Sequence, residues 1–161
     1  MILYIVRHAW AAEHDTERWP DDGQRPLTEA GIERFKQVVK RLVKRGVCPQ
    51  EILTSPLVRC VQTAHLLADR LQEVTPRMVS ALAPGGAIEE VIAASQGLTG
   101  KELAWVGHAP DVGRWVASLI GGQSGYVEMA KGAVAAIEFD EHITLGHGHL
   151  QWLVTAKLLG L

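Results

Sequence analysis

Short β-prone runs alternate with amphipathic helical stretches along this chain, and that alternation restricts the fold more than any other feature. Residues 2–6, "ILYIV", form a fully apolar run that ends on Arg7 and His8. An uninterrupted run of this length suits a strand buried on both faces. "LTEAGIERFKQVVKRLVKRG" follows a polar loop. Thr28 can cap a helix there, and Ile32, Phe35, Val38, Val39, Leu42 and Val43 recur at helical spacing before a Lys44-Arg45-Gly46 stop. Its opposite face carries Arg34, Lys36, Lys40 and Arg41 and reads as a solvated surface. "EILTSP" predicts a short strand and turn, and Ser55-Pro56 predicts a helix start, with the helix running to about Glu73. "TPRMVSALAP" contains a further short strand, "AIEEVIAASQG" a short helix, and "KELAWVGHAP" a strand ending on Gly107-His108. Pro110 opens another helix, with Val112, Trp115, Val116, Leu119 and Ile120 inward and Gly121-Gly122 as its stop. "GAVAAIEF" and "HLQWLV" predict two closing strands, joined closely enough to pair antiparallel. The pattern is α/β, with a mainly parallel sheet.

At 161 residues the chain is expected to form a single domain, 1–161. Apolar residues make up 47% of it, enough for a core that needs neither disulfide nor metal. The formal net charge of −2 argues against nucleic acid or an anionic membrane as a partner, so any anion site must be local. Cys48 and Cys60 lack metal-ligand spacing and are expected to be reduced and inert. With no signal-peptide core and no membrane-length apolar stretch, a cytoplasmic location is expected.

In a parallel α/β sheet, ligands bind beyond the carboxyl ends of the strands. Three strand ends carry polar groups, and together they would bring Arg7, His8, Arg59 and His108 to one sheet edge. Arg59 falls in the first turn of its helix, where a cation is disfavoured unless an anion shares the site. Gln62 and Thr63 follow on the same face and read as structural groups near that edge. Guanidinium forks match phosphate oxygens. Histidines beside fixed positive charge should be held neutral, and a neutral imidazole can attack phosphorus.

"LYIVRHAW", "RPLTEAG", "SPLVRCVQTA" and "VGHAP" resemble, in order and spacing, the signature segments of the histidine phosphatase (phosphoglycerate mutase-like) superfamily. The short length and the closing segments look most like its SixA-type phosphohistidine phosphatases. The resemblance implies a three-layer α/β/α sandwich and a metal-independent, cofactor-free reaction through a covalent phosphohistidine. It implies His8 as nucleophile, Arg7 and Arg59 as phosphate clamps, His108 as a donor to the transferring group and Arg25 as a third clamp. Thr54 and Ser55 are further candidates. For Arg25 the alternative is a surface ion pair with Asp21 or Asp22.

Many larger members supply an acid for the leaving oxygen. The corresponding segment here is "VSALAP", with Ala81 as the nearest match, and no acid stands out. Asp111, Glu89, Glu13 and Asp15 are candidate substitutes. Imidazole is a good leaving group, so the missing acid favours phosphohistidine on a protein. The alternatives are a small-molecule phosphomonoesterase of the same superfamily and a catalytically weak phospho-binding module.

Other features have plainer readings. His142, His147 and His149 are expected to lie in a solvated turn rather than a metal site. Trp105, Trp115 and Trp152 are expected in the core. Trp10 and Trp19 either wall the site or pack their loop. Lys131 reads as a surface residue.

Overall fold

The computed structural model describes residues 1–71 and 74–161. Six strands form one sheet: β1 (Ile2–Arg7), β2 (Glu51–Thr54), β3 (Arg77–Met78), β4 (Glu102–Gly107), β5 (Val134–Glu138) and β6 (His149–Val154). Four helices accompany them: α1 (Glu29–Val43), α2 (Val58–Ala68), α3 (Ile88–Ser95) and α4 (Asp111–Leu119). The strand order is β3-β2-β4-β1-β5-β6. β3, β2, β4 and β1 pair parallel, and β5 is antiparallel to both β1 and β6. The expected mainly parallel sheet, with an antiparallel closing pair, is therefore present.

Strand side chains alternate between two faces, and two cores result. Tyr4, Val6, Ile52, Ala104 and Val106 pack with Phe35, Val38, Val39 and Leu42 of α1 and with Cys60, Ala64 and Leu67 of α2. Leu3, Ile5, Leu53, Leu103 and Trp105 pack with Val91 of α3 and with Val112, Trp115, Val116 and Leu119 of α4. The sheet is thus the middle of three layers, and the continuous apolar runs of β1 and β4 reflect burial on both sides. Trp105 and Trp115 meet edge-on at 6.3 Å, and Trp152 lies beside Tyr4.

Thr28 caps α1 as expected, its hydroxyl accepting from the Gly31 N–H at 3.0 Å. A side chain at Gly31 would press on the Trp10 carbonyl, so glycine there lets α1 approach the loop after β1. Arg34 is not simply solvated: it stacks on Trp10 at 4.3 Å and donates to the Leu161 carbonyl.

The start of α2 departs from the sequence reading. The helix begins at Val58, its N-cap is Leu57, and no side chain caps it. Ser55 is not a helix cap because its hydroxyl serves a turn and a histidine: it accepts from the Leu57 N–H at 3.3 Å and lies 2.8 Å from His108 Nε2. Arg59 still falls in the first turn. The helix ends at Ala68 rather than near Glu73, and Gln72 and Glu73 lie outside the described residues. No helix among the described residues is long and apolar enough to cross a membrane.

Candidate active site

β2, β4 and β1 are neighbours in the sheet, so their carboxyl ends meet at one edge. His8 follows β1, His108 follows β4, and Ser55 follows β2. Backbone bonds fix these ends. His8 N–H donates to Gly107 O at 3.0 Å, Ser55 N–H to Val106 O at 3.0 Å, and Gly132 N–H to His8 O at 3.1 Å. Gly132 sits at φ 69°, where a side chain would be strained and would also press on the Trp10 ring.

A cleft of about 450 Å³ opens at this edge, lined by Arg7, His8, Glu13, His14, Arg25, Arg59, Pro84, His108 and Lys131, with Ala11, Ala12 and Ala109 between them. His8, Arg59 and His108 are buried, while Glu13, His14, Pro84 and Lys131 are exposed. All five principal residues read from the sequence therefore converge.

His8 Nδ1 lies 2.7 Å from the Ala9 carbonyl oxygen. A carbonyl can only accept, so Nδ1 carries the proton and Nε2 keeps its lone pair. Burial lowers the His8 pKa to about 4; Arg59, Arg7 and Arg25 push the same way, and the bond to Ala9 opposes them. Burial likewise lowers His108 to about 3, with Arg59 and His8 adding to it. The expected neutral histidines are present, but desolvation rather than neighbouring charge is the leading cause. The two rings lie 5.4 Å apart.

The two deep arginines are anchored alike. Arg7 Nη1 donates to Met129 O at 2.7 Å, and Arg59 Nη1 donates to Asp22 O at 2.9 Å. In each, the buried Nε has no partner among the described residues. One edge of each guanidinium is thus fastened, while Nε is left for an acceptor. Burial lowers both pKa values, yet an arginine remains charged at any working pH. A buried, unpaired cationic donor is costly unless an anion meets it.

Arg25 forms the expected ion pair with Asp22 while also facing the cleft. It lines the cleft and also bonds Asp22, with Nε to Oδ1 at 2.8 Å, and Ala12 O through Nη1 at 2.7 Å. Asp22 additionally lies 3.2 Å from Arg59 Nη1 through Oδ2. Thr63 accepts from Ala9 N–H at 3.0 Å and donates to Arg59 O at 2.7 Å, while Gln62 accepts from Leu27 N–H at 2.7 Å. Both are structural groups beside the site, as expected. Thr54 is buried and donates to Ser55 O at 3.1 Å, outside the cleft lining.

Of the four candidate acids, only Glu13 lines the cleft. Asp111 instead accepts from Gly85 N–H at 2.8 Å and lies 3.7 Å from Arg114. Asp15 accepts from the Glu17 and Arg18 N–H groups of its own loop, and Glu89 lies in the first turn of α3. Ala81 is buried in a short 3-10 turn, so its segment presents Pro84 to the cleft instead. Lys131 is exposed, as read, but it also forms part of the rim. Trp10 packs under α1, and Trp19 lines an adjoining depression with Glu13 and His14; neither lines the cleft itself. Among the described residues no three His, Cys, Asp or Glu side chains converge as a metal site.

Sequence reasoning missed Asp22 as a shared partner of two candidate clamps, Arg25 and Arg59. Its signal was present in "DGQR", which places Asp22 three residues before Arg25. His14 and Pro84 had no comparable signal.

A neutral imidazole with a free lone pair, beside two half-anchored guanidiniums, suits attack on a phosphoryl group. Comparison with known proteins agrees. The sequence model of the histidine phosphatase superfamily (branch 1) matches residues 3–161. An uncharacterized protein from Picosynechococcus sp. is 39% identical over 129 residues, 78% of this chain and 77% of that one. The structure of the protein histidine phosphatase SixA complexed with tungstate is similar at a TM-score of 0.84 and 28% identity, covering 99% of each chain. The alpha-ribazole phosphatase from Shigella flexneri shares the fold at a TM-score of 0.71 and 16% identity, covering 97% of each chain.

Proposed function

The chain belongs to the histidine phosphatase superfamily (branch 1), and from that premise we propose that this phosphatase removes the phosphoryl group from phosphohistidine carried on a protein. One observation carries the reading: His8, with Nδ1–H committed to Ala9 and Nε2 unprotonated, shares a cleft with two arginines whose buried Nε groups lack partners among the described residues.

In the proposed first step, His8 Nε2 attacks phosphorus in line. A P–N bond to His8 forms as the P–N bond to the substrate imidazole breaks. That imidazole keeps the bonding pair and leaves neutral, its other nitrogen already protonated. Arg7, Arg59 and Arg25 neutralise the equatorial oxygens, and His108 donates to the transferring group. Water then attacks phosphorus and releases His8 and inorganic phosphate. No metal or other cofactor enters either step.

Two features support phosphohistidine as substrate. The carboxylate among the lining residues is Glu13, on the exposed rim, and imidazole needs no strong acid to depart. The similar SixA structure is, by its name, a protein histidine phosphatase. Glu13 is also the observation that favours a second reading: placed beside an alkoxide, it would serve a small-molecule phosphomonoesterase. The two free cysteines support a reducing, cytoplasmic setting.

The test incubates wild type and His8→Ala with a phosphohistidine protein and with a panel of small phosphate esters, in the presence of a chelator. The proposal expects dephosphorylation of the protein by wild type at full rate in chelator, and none by the variant. Preference for an alkyl phosphomonoester would establish the second reading. Binding of the phosphoprotein without turnover would establish a phospho-binding module, and loss of activity in chelator would overturn the metal-free mechanism.

A further inference from the structure

Resting on that reading, we propose that Asp22 is a positioning residue, which holds Arg59 and Arg25 so that Arg59 meets the phosphoryl group through its Nε edge. Asp22 contacts both arginines at once. Its backbone carbonyl accepts from Arg59 Nη1 at 2.9 Å, and Oδ2 lies 3.2 Å from the same nitrogen. Oδ1 accepts from Arg25 Nε at 2.8 Å, and Oδ2 is 3.5 Å from Arg25 Nη2. One residue thereby fastens the Nη1 corner of Arg59 and the Nε edge of Arg25.

The consequence differs for the two arginines. Arg25 is committed along its Nε edge to Asp22 and through Nη1 to Ala12, so it contributes mainly charge. Arg59 keeps a buried Nε without a partner among the described residues. A planar fork held at one corner can present its other edge in one orientation, and a transition state rewards orientation more than a ground state does. Asp22 also offsets the repulsion between two neighbouring guanidiniums, which act against each other's charge. The segment is built to place it: Asp21 caps the 3-10 turn Asp22–Gln24, its Oδ1 accepting from Gly23 N–H at 2.9 Å.

The discriminating prediction is a split between ground-state and transition-state binding. Asp22→Asn keeps the backbone carbonyl and the side-chain shape but removes the charge that fastens the forks. Phosphate should bind the variant as well as wild type or slightly better, because net positive charge rises. Turnover should fall about tenfold to a hundredfold at nearly unchanged KM. Asp22→Glu, which restores the carboxylate on a longer arm, should recover part of the loss.

The experiment measures kcat and KM together with the affinities for inorganic phosphate and for orthovanadate, a mimic of the five-coordinate phosphorus of the transition state. The proposal expects Asp22→Asn to lose vanadate affinity about tenfold or more while phosphate affinity holds. An equal loss for both anions would reduce Asp22 to a structural support and overturn the proposal. A gain in kcat/KM would overturn it too, by showing that Asp22 competes with substrate for the arginines. If wild type fails on phosphohistidine protein, the substrate reading falls, and the vanadate-to-phosphate ratio still decides the role of Asp22.

Discussion

His8 donates through Nδ1 to the carbonyl of Ala9, its own neighbour in sequence, at 2.7 Å. This short-range bond sets the tautomer and so decides which nitrogen is available. Ala9 is held in turn by Thr63, which also bonds the backbone of Arg59. The proposed nucleophile and one proposed clamp are therefore linked through one threonine hydroxyl.

The pH dependence follows from burial of the two histidines. Their folded-state pKa values, about 4 for His8 and about 3 for His108, lie below the ordinary value near 6.5. Between those limits the unfolded chain binds more protons than the folded one, so stability rises with pH. The contribution is fully present above about pH 6.5 and is lost as pH falls through the folded values. Each histidine should cost about 2 kcal/mol of stability on going from pH 7 to pH 5. Urea melts across that range check this, with the double variant His8→Gln/His108→Gln showing a flatter profile. Ring-proton NMR of the native enzyme should find both imidazoles still neutral at pH 5.5; a midpoint near 6.5 for either would contradict it.

Replacing either deep arginine by lysine separates charge from geometry. Lysine keeps a positive charge but has no Nε donor edge, and its ammonium cannot both bond the anchoring carbonyl and offer a planar fork. Arg7→Lys and Arg59→Lys should each lower kcat/KM about a hundredfold or more, and Arg25→Lys by less, because Asp22 and Ala12 already occupy much of the Arg25 fork. Steady-state kinetics on one substrate rank the three. Equal losses at all three positions would contradict the unequal anchoring.

Much of this was legible because the candidate site sits where the sequence pattern changes. The apolar run to Val6 signals a strand buried on both sides, and Arg7-His8 at its end marks the edge where the cleft opens. Arg59 was legible as a cation out of place in a first helical turn. What stayed hidden depends on the third dimension. Ser55 reads locally as a helix cap, yet a histidine 53 residues away claims its hydroxyl. "VSALAP" gives no local sign of which residue faces the cleft, yet the 3-10 turn buries Ala81 and exposes Pro84. Asp22 reads as one of two surface aspartates, and only the fold brings Arg59 against it.

Thr63→Val tests the link between the proposed nucleophile, His8, and the proposed clamp, Arg59. Valine matches threonine in shape but leaves the buried Ala9 N–H without its acceptor at 3.0 Å. An unsatisfied buried donor costs about 1–3 kcal/mol, and thermal or urea unfolding should show a loss of that size. Activity of the folded enzyme should also fall, about tenfold, because Ala9 O orients His8 and Arg59 O is no longer tied to the same hydroxyl. A stability loss with unchanged kcat would confine Thr63 to a packing role.

A reaction without a buried acid should respond steeply to the quality of its leaving group. Glu13 is the carboxylate on the cleft lining, and it lies exposed on the rim. For a series of aryl phosphates spanning leaving-group pKa values from about 5 to about 10, log kcat/KM should fall steadily as the leaving group becomes more basic. Alkyl phosphates should be poorer still. Glu13→Gln should leave the slope unchanged, because water rather than this side chain protonates the departing oxygen. A shallow slope in wild type that steepens in Glu13→Gln would instead make Glu13 the general acid and shift the substrate class towards small phosphomonoesters.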